Sequence, residues 1–278
     1  MTSRAARSLV AQRGTQVTVS AIIMAWRVRW WPGLSFSAPL AAGFRKDAGK
    51  IFVGQGIASP YMRVLDLIVA FSFGAAAVGF MRIASRFVDI IYGTFISPIN
   101  SLWVVLLSEG THTKGDRDML YWRRSQMSAL IVLPIFAGLA LTSGDVIAVT
   151  LSAEYAPTAD MLLILCLVGL FAPLTYFRNA AFTAVKSLNL LITFSLIDLV
   201  ILTAAALALS QHSAEAVITS LLITEAVRMA LTVPILVKDM HTKPMSLLMS
   251  VLPAYTGCIV MAGAVMLIEY QTPGFIPG

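Results

Sequence analysis

Five arginines lie inside long apolar segments of this chain, and they are the side chains best able to do chemistry: Arg63, Arg82, Arg86, Arg178 and Arg228. An arginine that faces lipid at the centre of a bilayer costs about 2.5–3.5 kcal/mol, so five would cost about 12–17 kcal/mol together. Most of them are therefore expected to face a polar interior. Because guanidinium groups bind phosphate oxygens bidentately, a cationic interior indicates an anionic ligand.

One of these segments carries a polar stripe. Its members recur every three or four residues, which places them on one face of a helix: Arg82, Arg86, Asp89, Gly93, Ser97 and Asn100. Such a stripe lines a water-filled path or a packed bundle interior. Asp89 is spaced to pair with Arg86, which leaves Arg82 without a local partner. Alternatively, Arg82 lies near the outer membrane surface and extends to the headgroups.

Intramembrane acids accompany the arginines. Arg63 with Asp66, and Glu225 with Arg228, are three residues apart, so each pair is either structural or part of the path. Asp198 has no local cation; it either bridges to Arg178 or Arg228 on another helix, or carries a proton and couples transport to a proton gradient. The candidate substrate-binding residues are Arg63, Arg82, Arg86 and Arg228, and the candidate coupling or ion-pair residues are Asp66, Asp89, Asp198 and Glu225.

The elements that must position these side chains are membrane-spanning helices. The 278 residues are 58% hydrophobic and 12% charged, with a mean hydropathy of +0.82, whereas a soluble domain has about 25% charged residues. We therefore predict an all-α polytopic transmembrane bundle. A span needs about 20 apolar residues, and eight segments qualify: about 8–27, 49–72, 76–107, 122–150, 158–184, 188–209, 214–237 and 245–269.

Lysine and arginine are distributed unevenly among the loops. Twelve of them lie in alternate connections and none in the intervening ones near Gly74, Asp145 to Thr158 and Gln211 to Glu215. The positive-inside rule places the first set in the cytoplasm. The net charge of +6 thus reflects membrane topology, and we expect no nucleic-acid partner. The expected protein is a multi-pass membrane protein in that orientation.

Motifs of soluble enzymes are not found in the sequence. The three histidines, His112, His212 and His241, all fall in loops and are too scattered for a metal site or a catalytic triad. There is no glycine-rich phosphate loop followed by lysine and serine or threonine. We predict a non-enzyme with no cofactor and no metal. A membrane glycosyltransferase is disfavoured because the outer loops are too small to hold catalytic residues.

Several stretches resemble the oligosaccharide-lipid flippases of the multidrug/oligosaccharidyl-lipid/polysaccharide exporter superfamily. Residues 9–13, followed by an apolar run and residues 29–36, are similar to the end of that family's first six-helix lobe. Residues 63–66 through 73–79 resemble the helix, outer turn and helix that open its second lobe. Residues 153–158 and 162–165 resemble a segment joining two helices on the outer side. The family usually has a basic residue after the position of Asp66, where this chain has Leu67.

The resemblance implies both an architecture and a function. Residues 1–44 would be the last helix and linker of a truncated N-terminal lobe, and residues 45–278 most of the C-terminal lobe. The function implied is flipping of a polyprenyl-diphosphate-linked oligosaccharide from the cytoplasmic to the outer leaflet by alternating access, in polysaccharide biosynthesis. Expected partners are that anionic lipid-linked oligosaccharide, membrane lipids and other polysaccharide-assembly proteins. Two alternatives stay open: a cation-coupled multidrug exporter, and an inactive fragment of the flippase.

Overall fold

A computed structural model describes residues 2–28, 37–39, 41, 45, 48–49, 52–53, 56, 60–99, 101, 114–171, 173, 188–240 and 244–271. Eight α-helices form within these ranges, and no β-strand is found among them, so the all-α prediction is confirmed. The chain divides into two compact units, Met1–Lys46 and Asp47–Gly278. The first unit contains helix α1, Thr2–Val28.

The second unit contains the other helices. They are α2 (Tyr61–Ile91, continued by a π-helical turn at Tyr92–Ile96), α3 (Lys114–Leu141), α4 (Ser143–Thr150), α5 (Pro157–Gly169), α6 (Leu188–Leu209), α7 (Ala214–Met240) and α8 (Pro244–Gln271). A 3-10 turn, Ala153–Tyr155, joins α4 to α5. The fourth predicted span proves to be two helices, because the axis bends by 69° between α3 and α4.

Helix α2 folds back on itself at Gly74. The backbone there has φ 86° and ψ 178°, a region that only glycine adopts readily. Asp66 and Arg82 lie eight residues before and after Gly74, and their side chains are 2.6 Å apart. In a straight helix sixteen residues span about 24 Å, so the contact requires a hairpin of two arms. The reversal falls where the sequence leaves a gap between the second and third predicted spans.

Two described helical stretches are long and apolar enough to cross a bilayer, Tyr61–Ile99 and Ile192–Leu209. The bent pair Gln126–Leu141 and Ser143–Thr150 would form a third span if both parts belong to one crossing. Tyr61–Ile99 has 39 residues, about twice what one crossing needs. Its reversal at Gly74 therefore matches the two separate spans predicted for this part of the chain.

Helix α5 lies at the centre of the second unit and packs against α2, α3, α4 and α7. Its residues Leu162 and Cys166 are fully buried. At Gly169 a β-carbon would lie 2.5 Å from the ring of Phe136, which is itself fully buried in α3. The missing side chain thus lets α3 and α5 approach closely.

Candidate functional site

A buried ion cluster joins helices α6 and α7. The guanidinium of Arg228 contacts Glu225 one turn earlier in α7, and its Nε lies 3.2 Å from Oδ2 of Asp198 in α6. The three side chains are only 16%, 11% and 8% exposed, respectively. The predicted Glu225–Arg228 pair is confirmed, and of the alternatives for Asp198 the interhelical bridge to Arg228 is confirmed. Arg178 lies outside the described residues.

Tyr61, at the start of α2, completes the cluster. Its ring centroid lies 5.7 Å from Cζ of Arg228, within the range of a cation–π interaction. Arg228 therefore contacts side chains of three helices, α2, α6 and α7. Sequence reasoning missed Tyr61, and the only signal for it was an aromatic residue directly after Pro60 at the entrance to an apolar segment.

A cavity of about 320 Å³ opens beside this cluster. It lies between the two arms of α2 and helices α5 and α7, and is lined by Tyr61, Met62, Ser85, Val88, Asp89, Tyr92, Leu165, Val168, Leu221, Glu225 and Arg228. Most of this wall is apolar, with three charged side chains set into it. Ser85, Asp89 and Tyr92 are spaced so that they share one face of the helix. Of these three residues, the stripe predicted from the sequence included only Asp89.

The α2 hairpin presents a second polar surface, which we call the hairpin face: Arg63, Asp66, Arg82, Arg86 and Asp89. All of them except the partly buried Asp66 are exposed. Nη2 of Arg82 donates a hydrogen bond to Oδ2 of Asp66 at 2.6 Å. The sequence offers Arg82 no partner within its own stretch of helix, and the hairpin supplies a distant one, Asp66 of the opposite arm.

The two local ion pairs expected on this hairpin are also not observed. Among the described residues no ion pair joins Arg63 to Asp66 or Arg86 to Asp89. For Asp66 the reason is tertiary, because the hairpin brings Arg82 to it from the opposite arm, and a spacing of three residues does not encode that geometry. Arg63 and Arg86 lie eleven and twelve residues from Gly74, so they occupy similar levels of the two arms.

The remaining part of the predicted stripe continues along the second arm of the hairpin. Gly93 and Ser97 are exposed, whereas Met81, Ala84 and Ile91 on the other side of the arm are buried. Gly93 lies within the π-helical turn Tyr92–Ile96 and Ser97 follows its last residue, and such turns are frequent at functional sites. Asn100 falls outside the described residues.

The charges of these two surfaces differ. The hairpin face carries three arginines and two acids, and two of its arginines, Arg63 and Arg86, form no ion pair with any described residue. In the buried cluster, by contrast, Arg228 contacts two carboxylates.

Within the described part of the chain, no group of three His, Cys, Asp or Glu side chains is arranged to hold a metal ion.

Two comparisons place the chain among known proteins. A family model described as polysaccharide biosynthesis protein matches residues 1–160. The solved structure of lipid II flippase MurJ in an inward closed conformation superposes with a TM-score of 0.65 and 15% sequence identity. The match covers 85% of this chain and 50% of that one, so the chain spans about half the length of the structure it resembles. No curated protein sequence matches the chain.

These matches agree with the resemblance drawn from the sequence. The family match covers the α2 hairpin and the helices before α5, and the superposition shows that the chain shares the helical fold of the matched part of that structure. The chain is a multi-pass membrane protein with that fold. It belongs to the polysaccharide biosynthesis protein family.

Proposed function

We propose that this chain forms part of a transporter that moves a polyprenyl-diphosphate-linked oligosaccharide from the cytoplasmic to the outer leaflet by alternating access. The observation that carries the proposal is the hairpin face. It places three arginines on the exposed side of an apolar helical hairpin, where a lipid-facing charge would be costly. The name of the structural neighbour, a lipid II flippase, agrees with a lipid-linked cargo.

The proposed role of the arginines follows from their partners. Arg63 and Arg86 are the side chains we assign to the cargo diphosphate, because neither forms an ion pair with a described residue. Arg82 forms an ion pair with Asp66, so we assign it to stabilising the hairpin. It can bind the cargo only if that ion pair opens. Arg228 is assigned a structural role.

The coupling hypothesis changes with the geometry. Asp198 contacts the guanidinium of Arg228, and this interhelical contact favours a structural function over proton transfer. Asp89 is left as the candidate coupling acid, since it is exposed and lines the cavity.

A multidrug exporter for cationic drugs would favour an acidic transport surface, whereas arginines outnumber acids by three to two on the hairpin face.

We further propose that the protein lies in the bacterial inner membrane, with the loops around Lys46, Lys114 and Lys243 in the cytoplasm. Glycan-assembly proteins of the same membrane are its proposed partners. Residues 1–44 and 45–278 are proposed as parts of an N-terminal and a C-terminal lobe.

The test is a flipping assay in proteoliposomes with a fluorescent undecaprenyl-diphosphate oligosaccharide and a membrane-impermeant quencher. The double variant Arg63→Gln/Arg86→Gln should flip at least tenfold more slowly than the parent at equal protein level. Arg27→Gln, which removes a cation at the end of α1, is the matched control and should flip normally. Equal rates for the double variant and the parent would refute the proposal.

A further inference from the structure

We propose that the cavity between α2, α5 and α7 is a binding site for a monovalent organic ammonium ion that carries apolar groups. Neither of the arginines assigned to an anionic cargo, Arg63 and Arg86, lines this cavity, although Asp89 belongs both to the cavity wall and to the hairpin face. The inference goes beyond the proposed transport function and does not depend on it.

The charges around the cavity favour a cation. Arg228 contacts two carboxylates, so its positive charge is matched within the buried cluster. Asp89 lines the cavity and forms no ion pair with any described residue. Beside low-dielectric walls a carboxylate attracts a cation more strongly than it does in water, so Asp89 is the group that a bound ammonium would contact.

The aromatic side chains of the wall suit the same class of ligand. Tyr61 and Tyr92 both line the cavity, and aromatic rings attract ammonium and guanidinium groups through their π-faces. Tyr61 already holds a cation in this way, since Cζ of Arg228 lies 5.7 Å from its ring centroid. A site with one carboxylate outside the Arg228 cluster, Asp89, and nearby tyrosine rings is suited to substituted ammonium ions.

The size and polarity of the cavity limit the ligand further. A volume of about 320 Å³ is near the lower end of the roughly 300–1,000 Å³ found for small-molecule pockets, which suits an ion with a single ring. Val88, Leu165 and Leu221 form apolar walls that match alkyl or aryl substituents. An anion of the same size would instead meet the carboxylates of Asp89 and Glu225, so the cavity should reject it.

The experiment is isothermal titration of the purified full chain in nanodiscs with benzyltrimethylammonium, with empty nanodiscs as the blank. We expect saturable binding, and at least a tenfold weaker affinity for Asp89→Asn. Asp160→Asn is the matched control, because Asp160 is an exposed acid of α5 that does not line the cavity, and it should bind like the parent. Benzylsulfonate, an anion of similar size and shape, should not bind.

A second variant tests the cavity itself. Val88→Phe fills part of the volume without changing charge and should also weaken binding at least tenfold. The proposal is overturned if the parent shows no binding at millimolar ligand, if Asp89→Asn binds as tightly as the parent, or if benzylsulfonate binds equally well. Loss of binding in Asp89→Asn but not in Val88→Phe would place the ion on the hairpin face and overturn the cavity as its site.

Discussion

Replacing Arg228 by methionine should destabilise the protein strongly. The substitution keeps an unbranched side chain but removes the guanidinium that both Asp198 and Glu225 contact. These side chains are at most 16% exposed, so water screens the remaining carboxylates poorly. Removing one partner of a buried ion pair typically costs about 3–5 kcal/mol, because a charge is left in a medium of low polarity.

The expected shift in melting temperature follows from this energy. For a chain of this size about 1 kcal/mol corresponds to about 2–4 °C, so Arg228→Met should lower the melting temperature by about 6–20 °C. Asp198→Asn leaves the Glu225 contact in place and removes one charged hydrogen bond, worth about 1.5–3 kcal/mol. Its melting temperature should therefore fall less, by about 3–12 °C.

A triple variant separates charge from packing. Arg228→Met with Asp198→Leu and Glu225→Met removes all three charges together, and replacing a whole buried ion network by apolar side chains of similar volume is often neutral or stabilising. The triple variant should thus recover most of the stability lost in the single one. This recovery distinguishes stranded charge from a loss of volume.

The measurement is the fraction of detergent-solubilised protein that elutes as a monodisperse peak after heating. Arg63→Met is the matched control, since Arg63 is exposed and forms no ion pair with a described residue; its melting temperature should change by less than about 2 °C. A shift that small for Arg228→Met, or a triple variant as unstable as the single one, would refute the reasoning.

Three further predictions concern the hairpin, the central helix and the topology. Gly74→Ala should lower the free energy of unfolding by about 1–3 kcal/mol in a heating assay, because a φ of 86° is strained for any residue with a side chain. Gly79→Ala, at an exposed position of the same helix, is the control and should be neutral or stabilising. Gly169→Ala should cost about 1–3 kcal/mol through overpacking, since a β-carbon there would lie 2.5 Å from a buried ring in α3; a melting temperature equal to that of the parent would contradict the close approach of α3 and α5. In cysteine-accessibility labelling of intact cells, Asp145→Cys should react with an impermeant reagent and Lys114→Cys should not; equal labelling would contradict the proposed orientation.

The ion pair between Arg82 and Asp66 shows where residue spacing fails to predict ion pairs. A separation of three residues makes two side chains neighbours on one helix, which is why Asp66 was matched with Arg63. That rule held for Glu225 and Arg228 in α7. It failed for Asp66 because the hairpin brought Arg82 to within 2.6 Å.

The cavity shows a second limit of prediction from the sequence. Its wall combines residues from both arms of α2 with residues of α5 and α7, and these segments are far apart in the sequence. Helical periodicity orders side chains within each segment, but it does not say which faces meet. The roles of Tyr61, Ser85 and Tyr92 therefore became visible only after the helices had packed.

The sequence by itself determined the class of the protein, the approximate bounds of its helices and the presence of charged residues within them. It could do so because crossing a bilayer imposes length and hydrophobicity on each segment separately. The tertiary structure decided the bend between α3 and α4, the partners of Asp66 and Asp198, and the cavity beside Arg228. Those features depend on contacts between segments, where close packing and the burial of charge select one arrangement among several that local spacing allows.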